Sequence, residues 1–323
     1  MLNAQGLSHG GIMVNYACTA ACRHCLYACS PSRTGGYISA EKTRTVCGLL
    51  RRGGCASVHI GGGEPFLDFD GLVMVIRELN KAGIGLEYVE TNAYWSGSRD
   101  AAEKVKILMK EGVDALCISL DPFHAEYVPY GAPLRLARLC NELGMGYFLW
   151  KEQFLKSLSR LEPEKAHSRT EMEQQISPAY IRAAADAYGI RLGGRAVNIE
   201  GEYRPALPLD NILDKTPCHK LLSTGHFHVD LEGFFIPPGC TGIKVPLEEV
   251  AGGLPEKKYP VLEALYREGI GGLLELARPY GFSPESRGYP SKCNLCFHIR
   301  RFLAGKDFAE LDGNYYEESL KYY

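Results

Sequence analysis

Short apolar runs alternate with amphipathic helical patterns from residue 12 to about residue 197 of this 323-residue chain. The runs with the length and composition of strands are Ile12–Tyr16, Ser57–Ile60, Leu86–Glu90, Ala115–Leu120, Met145–Trp150 and Ile190–Leu192. Helix boundaries fit between them, with Ser39 and Ser98 as predicted N-caps and Gly83 as a predicted stop. Because strands that alternate with helices form parallel sheets, the pattern predicts an α/β fold, a partial (β/α)6 TIM-like barrel.

The composition changes between residues 198 and 217, where proline, aspartate and asparagine replace the apolar runs. Such a segment is typical of a connector, so we predict a barrel domain over residues 1–200 and a second domain over residues 201–323. Two apolar runs and a helical pattern follow the connector, at Phe227–Asp230, Phe234–Ile236 and Val261–Ala277. They predict a small domain built from a hairpin, which turns at Glu232-Gly233, and a helix.

The charge balance excludes some classes of partner. Lys and Arg number 36 against 38 for Asp and Glu, a formal net charge of -2. This balance gives no electrostatic reason to bind nucleic acid or an anionic membrane. The N-terminus lacks a secretory pattern, and no run approaches the roughly 20 apolar residues of a membrane span. We therefore expect a cytoplasmic protein with neither nucleic acid nor membrane as a partner.

The chain has 12 cysteines, and their distribution is uneven. The cytosol keeps thiols reduced, so metal or cluster ligation is a better expectation than disulfides. One group is Cys18, Cys22, Cys25 and Cys29, and a second is Cys218, Cys240, Cys293 and Cys296. The remaining cysteines have the surroundings of core residues, and they are Cys47, Cys55, Cys117 and Cys140.

Cys18, Cys22 and Cys25 form a Cys-x3-Cys-x2-Cys pattern in the loop after the first predicted strand. Three thiolates on a [4Fe-4S] cluster leave one iron open to a further ligand, which is typical of a catalytic centre. A zinc site or incidental thiols remain alternatives for the spacing alone. Cys29 is predicted not to be a ligand, because a fourth thiolate would close the open position.

A glycine-rich segment, Gly61-Gly62-Gly63-Glu64-Pro65, directly follows the second predicted strand, and His24 precedes the third cysteine of the loop. Together these motifs resemble the radical S-adenosylmethionine (SAM) superfamily. Glycines let the backbone approach a ligand closely, and its carbonyls can accept hydrogen bonds from the amino group of SAM. The resemblance implies SAM contacts from the segment Gly61, Gly62, Gly63, Glu64, Pro65 and from further residues at strand ends, namely Thr91, Asn92, Ser119, Asp121 and Arg195.

The resemblance also implies the chemistry. The reduced cluster would pass an electron to SAM, which would break into methionine and a 5'-deoxyadenosyl radical that abstracts hydrogen from a substrate. The cofactors carry this reaction, while the protein binds, orients and excludes water. An external reductant such as flavodoxin or ferredoxin is the implied partner.

The second cysteine group brackets the predicted hairpin and helix. This arrangement resembles the twitch domain, a shorter relative of the SPASM domain, and implies that Cys218, Cys240, Cys293 and Cys296 hold an auxiliary [4Fe-4S] cluster. Full SPASM proteins carry more cysteines in this region than the four found here, and usually two clusters. A structural zinc site is the alternative, because four thiolates suit zinc as well. A fully ligated cluster favours electron transfer, and hence a net oxidation of the substrate.

The leading hypothesis is therefore a SAM-dependent enzyme that carries out a dehydrogenation or cross-link on a peptide or protein side chain, or on a small metabolite. Two alternatives are an electron-transfer protein with two clusters and no SAM chemistry, and a zinc-stapled binding module. No catalytic residue is identified, although nominal bases are Glu200, Asp230, His124 and Glu152. The C-terminal tyrosines are predicted to dock on the protein surface, and they are Tyr315, Tyr316, Tyr322 and Tyr323.

Overall fold

The computed structural model describes residues 6–214, 216–255 and 257–322. Its centre is one eight-stranded sheet. The strands are β1 (His9–Met13), β2 (Ser57–Gly61), β3 (Gly85–Thr91), β4 (Ala115–Ser119), β5 (Gly146–Trp150), β6 (Phe227–Val229), β7 (Phe234–Ile236) and β8 (Val245–Pro246).

The strands lie in the order β5-β4-β3-β2-β1-β6-β7-β8. Neighbouring strands from β5 to β6 are parallel, whereas β7 and β8 run antiparallel to their neighbours. This open, mostly parallel sheet confirms the predicted α/β fold of a partial barrel. It also places the carboxyl ends of β1 to β4 at one edge, where ligand sites of such folds form.

The sixth parallel strand is not the one predicted. Residues 190–192 lie in irregular backbone, and the position beside β1 belongs to β6, where Gly11 pairs with His228. The prediction of a strand at Ile190–Leu192 was wrong because the segment leads directly into a turn at Gly193-Gly194. This turn packs on the cysteine loop, where the Arg195 N–H donates to the Cys25 carbonyl at 3.1 Å.

Helices cover one face of the sheet and continue through the C-terminal part of the chain. They are α1 (Ala40–Arg52), α2 (Phe69–Ala82), α3 (Ala101–Lys110), α4 (Pro122–Ala125), α5 (Gly131–Leu143), α6 (Leu155–Leu158), α7 (Arg169–Gln175), α8 (Tyr180–Tyr188), α9 (Ala196–Tyr203), α10 (Leu209–Ile212), α11 (Leu247–Gly252), α12 (Pro260–Ala277), α13 (Lys292–Ala304) and α14 (Gly313–Glu318). Ile60, Val89 and Leu116 project from the sheet into the core beneath α1 and α2 and are fully buried. Burial of these side chains is the main force that holds the helices on the sheet.

Two of the predicted helix boundaries are confirmed and one is wrong. The Ser39 hydroxyl accepts the Lys42 N–H, and Gly83 ends α2 in the left-handed conformation. Ser98 does not cap α3, whose N-cap position is Asp100.

The charged segment between β5 and α8 has a buried side. Phe154, Leu158 and Leu161 pack with Phe123 in a second apolar cluster beside the cysteine loop. The segment is therefore an insertion of short helices that packs beside the cysteine loop.

The predicted hairpin is confirmed as β6 and β7, and it extends the sheet of the N-terminal part instead of standing apart. Helix α9 crosses the predicted boundary between residues 200 and 201, so the division into two domains stays a prediction. In the part of the chain that the structure describes, no helix combines the length and the apolar composition needed to cross a bilayer.

The C-terminal tyrosines lie mostly inside the protein. Tyr315 and Tyr316 are buried, and the Tyr315 hydroxyl bonds to the Gly194 N–H and to Thr241. Tyr323 falls outside the described residues. The prediction of surface docking was therefore wrong for Tyr315 and Tyr316, because Tyr315 contacts the turn that precedes α9 and the Tyr316 hydroxyl donates to the Gly242 carbonyl at 3.1 Å.

Candidate functional site

The loop after β1 brings the first cysteines to the carboxyl edge of the sheet. Cys22 is buried, whereas Cys18 and Cys25 are half-buried. A tight turn links the last two, since the Cys25 N–H donates to the Cys22 carbonyl at 3.0 Å. Burial and the neighbouring Cys22 raise the pKa of Cys18 well above its usual value. The three thiols therefore share one enclosed region that opens toward the sheet edge.

Arg195 holds this loop from beneath. It is fully buried, and its guanidinium donates from Nε to the Cys22 carbonyl at 2.9 Å and from Nη2 to the Cys29 carbonyl at 2.5 Å. Among the described residues, Nη1 has no hydrogen-bond partner. Nε and Nη2 therefore fix the backbone of the cysteine loop, and only Nη1 remains to donate to SAM. Contact of Arg195 with the SAM carboxylate stays a prediction.

The glycine-rich turn after β2 packs directly on the same loop. A methyl group at Gly63 would lie 1.9 Å from the Ala17 carbonyl oxygen, and Gly62 has a φ of 149°. Asn15 clamps the turn, since its Oδ1 accepts the Gly63 N–H at 3.1 Å and its Nδ2 donates to the Glu64 carbonyl at 3.0 Å. The turn can hold this position only with glycine at Gly63. Sequence reasoning missed Asn15, which carries no motif of its own.

Glu64 is fully buried and joins the ends of β2 and β3. Its carboxylate accepts the Thr91 hydroxyl at 2.9 Å, the Asn92 N–H at 2.7 Å and the Phe66 N–H at 3.1 Å. Burial raises the pKa of Glu64 to about 7 against the opposing effect of these bonds. The carboxylate therefore holds the ends of β2 and β3 together, and any contact with SAM would come from the backbone of the turn.

The Glu64→Gln variant is expected to lower the free energy of unfolding by about 1–3 kcal/mol, because the amide replaces one buried acceptor oxygen with a donor and leaves a buried partner unpaired. Urea denaturation of the metal-free chain measures the loss. The matched control is Glu142→Gln at an exposed position of α5, where surface substitutions change stability by less than about 0.5 kcal/mol. An unchanged midpoint in Glu64→Gln would contradict the structural role of the carboxylate.

Three further predicted SAM contacts meet in one cleft. Asn92, Ser119 and Asp121 line it together with His124. The Asn92 amide also lies 3.7 Å from the Cys18 sulfur and 3.0 Å from the Thr19 hydroxyl. The structure thus brings these residues together beside the cysteine loop, and their contact with SAM remains a prediction.

Asp121 and the histidines around it form a buried charged group. Its Oδ1 accepts the Phe123 and His124 N–H groups that begin α4, and its Oδ2 lies 2.7 Å from His124 Nδ1. Although burial opposes it, Asp121 and the nearby Cys22 thiol raise the pKa of His124 well above its usual value. Burial lowers the pKa of His24 to about 4, and its ring stacks on Phe123 at 4.8 Å. His24 therefore acts as an aromatic cover on the cysteine loop.

The second cysteine group also comes together. Cys218 precedes a short 3-10 turn, Cys240 follows β7, and Cys293 and Cys296 lie in the first turns of α13. Burial, together with the charges of Cys240, Cys293 and Cys218, raises the pKa of Cys296 to about 12, against the lowering effect of Arg300. Cys293 is exposed and the others are half-buried, so the group lies close to the surface.

The spacing of the thiols bears on what each group can hold. All the cysteines lie within the described residues, and among these residues no three thiol sulfurs come within 4.8 Å of one another. A tetrahedral zinc ion with Zn–S bonds of about 2.3 Å requires sulfurs about 3.8 Å apart. Neither thiol group is drawn together as a bound zinc ion would require, and the metal that each group holds stays a prediction.

The nominal bases have structural partners. Glu200 accepts from the Ser291 hydroxyl at 2.8 Å, and Asp230 accepts the Glu232 and Phe234 N–H groups of the hairpin turn at 3.0 and 2.9 Å. His124 pairs with Asp121, and Glu152 is exposed in a 3-10 turn.

Sequence reasoning missed the polar residues on the inner face, which we define as the sheet face turned away from α1 and α2. It carries Glu90, whose carboxylate lies 3.9 Å from His59 Nε2. Burial raises the pKa of Glu90 to about 7 and lowers that of His59 to about 4. The signal was present in the sequence, since His59 and Glu90 interrupt the apolar runs of β2 and β3.

Comparison with known proteins finds one matching family profile and several similar solved structures. Residues 12–146 match the profile of the Radical SAM superfamily, whereas no curated protein matches the chain. One similar solved structure is Streptococcus suis SuiB bound to S-adenosylmethionine, with 15% identity, a TM-score of 0.43 and coverage of 85% of this chain and 68% of that chain. A second is native anSMEcpe with bound AdoMet and Cp18Cys peptide, with 14% identity, a TM-score of 0.46 and coverage of 97% of this chain and 94% of that chain. A third is BtrN in complex with AdoMet and 2-DOIA, with 12% identity, a TM-score of 0.42 and coverage of 82% of this chain and 89% of that chain. The match to the Radical SAM superfamily therefore covers the part of this chain that holds the cysteine loop and the glycine-rich turn at one edge of the partial barrel.

Proposed function

We propose that this chain is a radical SAM enzyme that cleaves SAM reductively, abstracts hydrogen from a substrate and oxidises it. The observation that carries the proposal is the packing of the glycine-rich turn on the cysteine loop, where the Gly63 N–H donates to the Asn15 carbonyl at 2.9 Å and the Glu64 N–H to the Ala17 carbonyl at 2.9 Å. A cluster on the loop and a ligand on the turn would then be direct neighbours.

The donor set fits the cofactors. Cys18, Cys22 and Cys25 would hold three irons of a [4Fe-4S] cluster and leave the fourth iron open. SAM would lie on the Gly61–Pro65 turn, with Asn92, Ser119, Asp121 and Arg195 as further contacts. When bound, the first cluster and SAM supply a 5'-deoxyadenosyl radical for hydrogen abstraction, and a second cluster supplies an acceptor for the electron that remains on the substrate.

The residues around the loop fix its position and exclude water. Arg195 ties two carbonyls of the cysteine loop together. His24 lies between Phe123 and Tyr188, with ring centroids 4.8 Å from each. Cys22 is 5% exposed beneath this aromatic layer. The enclosure supports the proposal because radical chemistry requires a site from which solvent is excluded.

A second [4Fe-4S] cluster on Cys218, Cys240, Cys293 and Cys296 belongs to the proposal. Four thiolates would coordinate all four irons of this cluster, so its role would be electron transfer. Buried Arg300 lies beside these thiols, and its Nη1 donates to the Thr241 carbonyl at 2.7 Å. A fixed positive charge favours a reduced cluster, which suits an electron acceptor and hence a dehydrogenation or a cross-link.

Glu90 is our candidate for the base that such an oxidation needs. A methyl group at Gly61 would lie 2.5 Å from Glu90 Oε2, so the carboxylate touches the glycine-rich turn from inside the barrel. Burial raises the pKa of Glu90 to about 7, which is favourable for accepting a proton near neutral pH.

The substrate would enter along β5, the strand at one end of the sheet. Its inner face exposes Phe148 and Trp150, which are 38% and 46% exposed, and Tyr88 meets Phe148 edge-on at 5.3 Å. Exposed aromatic surface of this kind marks a binding site. It suits a peptide or protein side chain, or a small metabolite with apolar surface. A flavodoxin or ferredoxin would supply the electron.

The direct test of the proposal is the formation of 5'-deoxyadenosine by the anaerobically reconstituted and reduced chain. We expect methionine and 5'-deoxyadenosine in equal amounts. A chain that binds both clusters but leaves SAM intact would instead be an electron-transfer protein.

The Cys293→Ala variant is expected to retain part of the SAM cleavage and to lose the oxidised product, because it removes a ligand of the second cluster and leaves the cysteine loop untouched. Chromatography of 5'-deoxyadenosine and of the substrate in the same reaction measures both. The control is Cys140→Ala, at a buried position of α5, which should keep both. A folded Cys293→Ala protein that loses cleavage as completely as product would contradict the role of the second cluster as an acceptor.

A further inference from the structure

Three histidines meet on the inner face, outside the cysteine loop. His59 comes from β2, His228 is the middle residue of β6, and His226 directly precedes β6. The Nε2 atoms of His59 and His228 are 3.0 Å apart, and one ring nitrogen from each of the three residues lies within 4.8 Å of the others. Pairs of ligand nitrogens on a tetrahedral zinc ion with Zn–N bonds of about 2.0 Å are separated by about 3.3 Å, so small side-chain rotations would complete the geometry.

The backbone leaves space for these rings. Gly11 lies between the two strands, where it pairs with His59 on one side and with His228 on the other. A methyl group at this position would lie 2.3 Å from His59 Nε2 and 2.7 Å from His228 Cδ2. The absence of a side chain at Gly11 is therefore what lets the two imidazoles meet across β1.

Aromatic contacts hold the rings in place. His59 stacks on Tyr88 at 4.9 Å and on His226 at 5.2 Å, and Tyr27 lies 5.3 Å from His228. His59 is buried, His228 is partly buried and His226 is exposed. The group thus has a fixed inner end and an end that is accessible from solvent, as a site that loads an ion from solution requires.

We propose that His59, His226 and His228 form a mononuclear site for a divalent metal ion of the zinc type, separate from both cysteine groups. Three neutral imidazoles are a preferred ligand set for zinc and leave one coordination position open. The Glu90 carboxylate is 3.9 Å from His59 Nε2 and can orient a water molecule or a substrate oxygen at that position. The ion would polarise or anchor an oxygen-bearing substrate in the barrel.

The test is metal binding by the full-length chain after its iron and sulfide have been loaded, so that the thiols are occupied. Zinc or cobalt(II) is added anaerobically, excess ion is removed, and the bound ion is counted by elemental analysis. We expect one additional equivalent, and a cobalt spectrum without the charge-transfer bands that thiolate ligands give.

The His226→Ala variant removes a direct ligand and should weaken metal binding by more than about 100-fold. Loss of a residue that only hydrogen-bonds to a ligand already lowers metal affinity by about 10- to 100-fold. His226 is exposed, so the variant should fold normally, which circular dichroism checks. The matched control is His9→Ala, an exposed histidine at the start of β1 that pairs with Glu87 at 3.2 Å, and it should bind as the unmodified chain does.

Several results would overturn the proposal. The first is that the cluster-loaded chain binds no additional ion when zinc is present at micromolar concentrations. In that case His59 and His228 are a hydrogen-bonded pair and His226 is only their neighbour. The second is unchanged binding by His226→Ala, and the third is an equal loss in His9→Ala. The readout does not involve SAM cleavage, so it is independent of the proposed enzymatic activity.

Discussion

Replacing Cys22 with alanine is expected to abolish SAM cleavage. Cys22 is the most enclosed of the three thiols, at 5% exposure, and its carbonyl already accepts hydrogen bonds from Arg195 and from the Cys25 N–H. The backbone of the loop would therefore keep its place while one iron ligand is lost. Because the cluster needs three thiolates and still has to keep one position open, we expect 5'-deoxyadenosine to fall below detection.

The control for this variant is again Cys140→Ala, which removes a buried thiol from α5, far from the loop in sequence, and should retain cleavage. Iron and sulfide analysis should show that Cys22→Ala retains only the iron of the second cluster. A folded Cys22→Ala protein that still produced 5'-deoxyadenosine at the rate of the unmodified chain would remove Cys22 from the ligand set.

Replacing Gly63 with alanine is expected to weaken SAM binding by about 10- to 100-fold. The added methyl group would lie 1.9 Å from the Ala17 carbonyl oxygen and 2.9 Å from the Tyr16 carbonyl carbon, so the turn must move away from the cysteine loop. Overpacking of this kind costs about 1–3 kcal/mol, and each 1.4 kcal/mol is about tenfold in affinity. Equilibrium binding of SAM to the cluster-loaded chain measures the effect.

Gly35→Ala is the matched control, since Gly35 lies between β1 and α1, in the segment that carries the cysteine loop, and has nothing within 4 Å of an added methyl group. It should bind SAM as the unmodified chain does. If Gly63→Ala bound SAM equally well, the turn would not be the part of the chain that holds the amino acid end of SAM.

The sequence predicted the elements whose signals are local. The strands β2 to β5 follow from apolar runs, and α1 from Ser39 and its helical pattern, whereas β1 lies at His9–Met13 instead of the predicted Ile12–Tyr16. The cysteine loop and the glycine-rich turn were recognised because each is a short continuous motif after a strand. The parallel order of those strands then brings the two motifs to one edge of the sheet.

The sequence did not predict contacts between distant parts of the chain. Arg195 binds the Cys22 carbonyl across 173 residues, and it was expected to serve SAM alone. The strand beside β1 comes from residues 227–229 instead of 190–192, since pairing depends on which segment fits beside Gly11. The meeting of His59 with His228 across 169 residues has the same cause. Periodicity finds elements, but it does not say which of them become neighbours.

The most direct test of the central claim is electron paramagnetic resonance of the reduced, anaerobically reconstituted chain before and after SAM is added. We expect about eight irons per chain, as two [4Fe-4S] clusters require, and a cluster signal that changes when SAM binds the open iron. Zinc in place of iron and sulfide at Cys18, Cys22 and Cys25, or a cluster signal that SAM leaves unchanged, would contradict it.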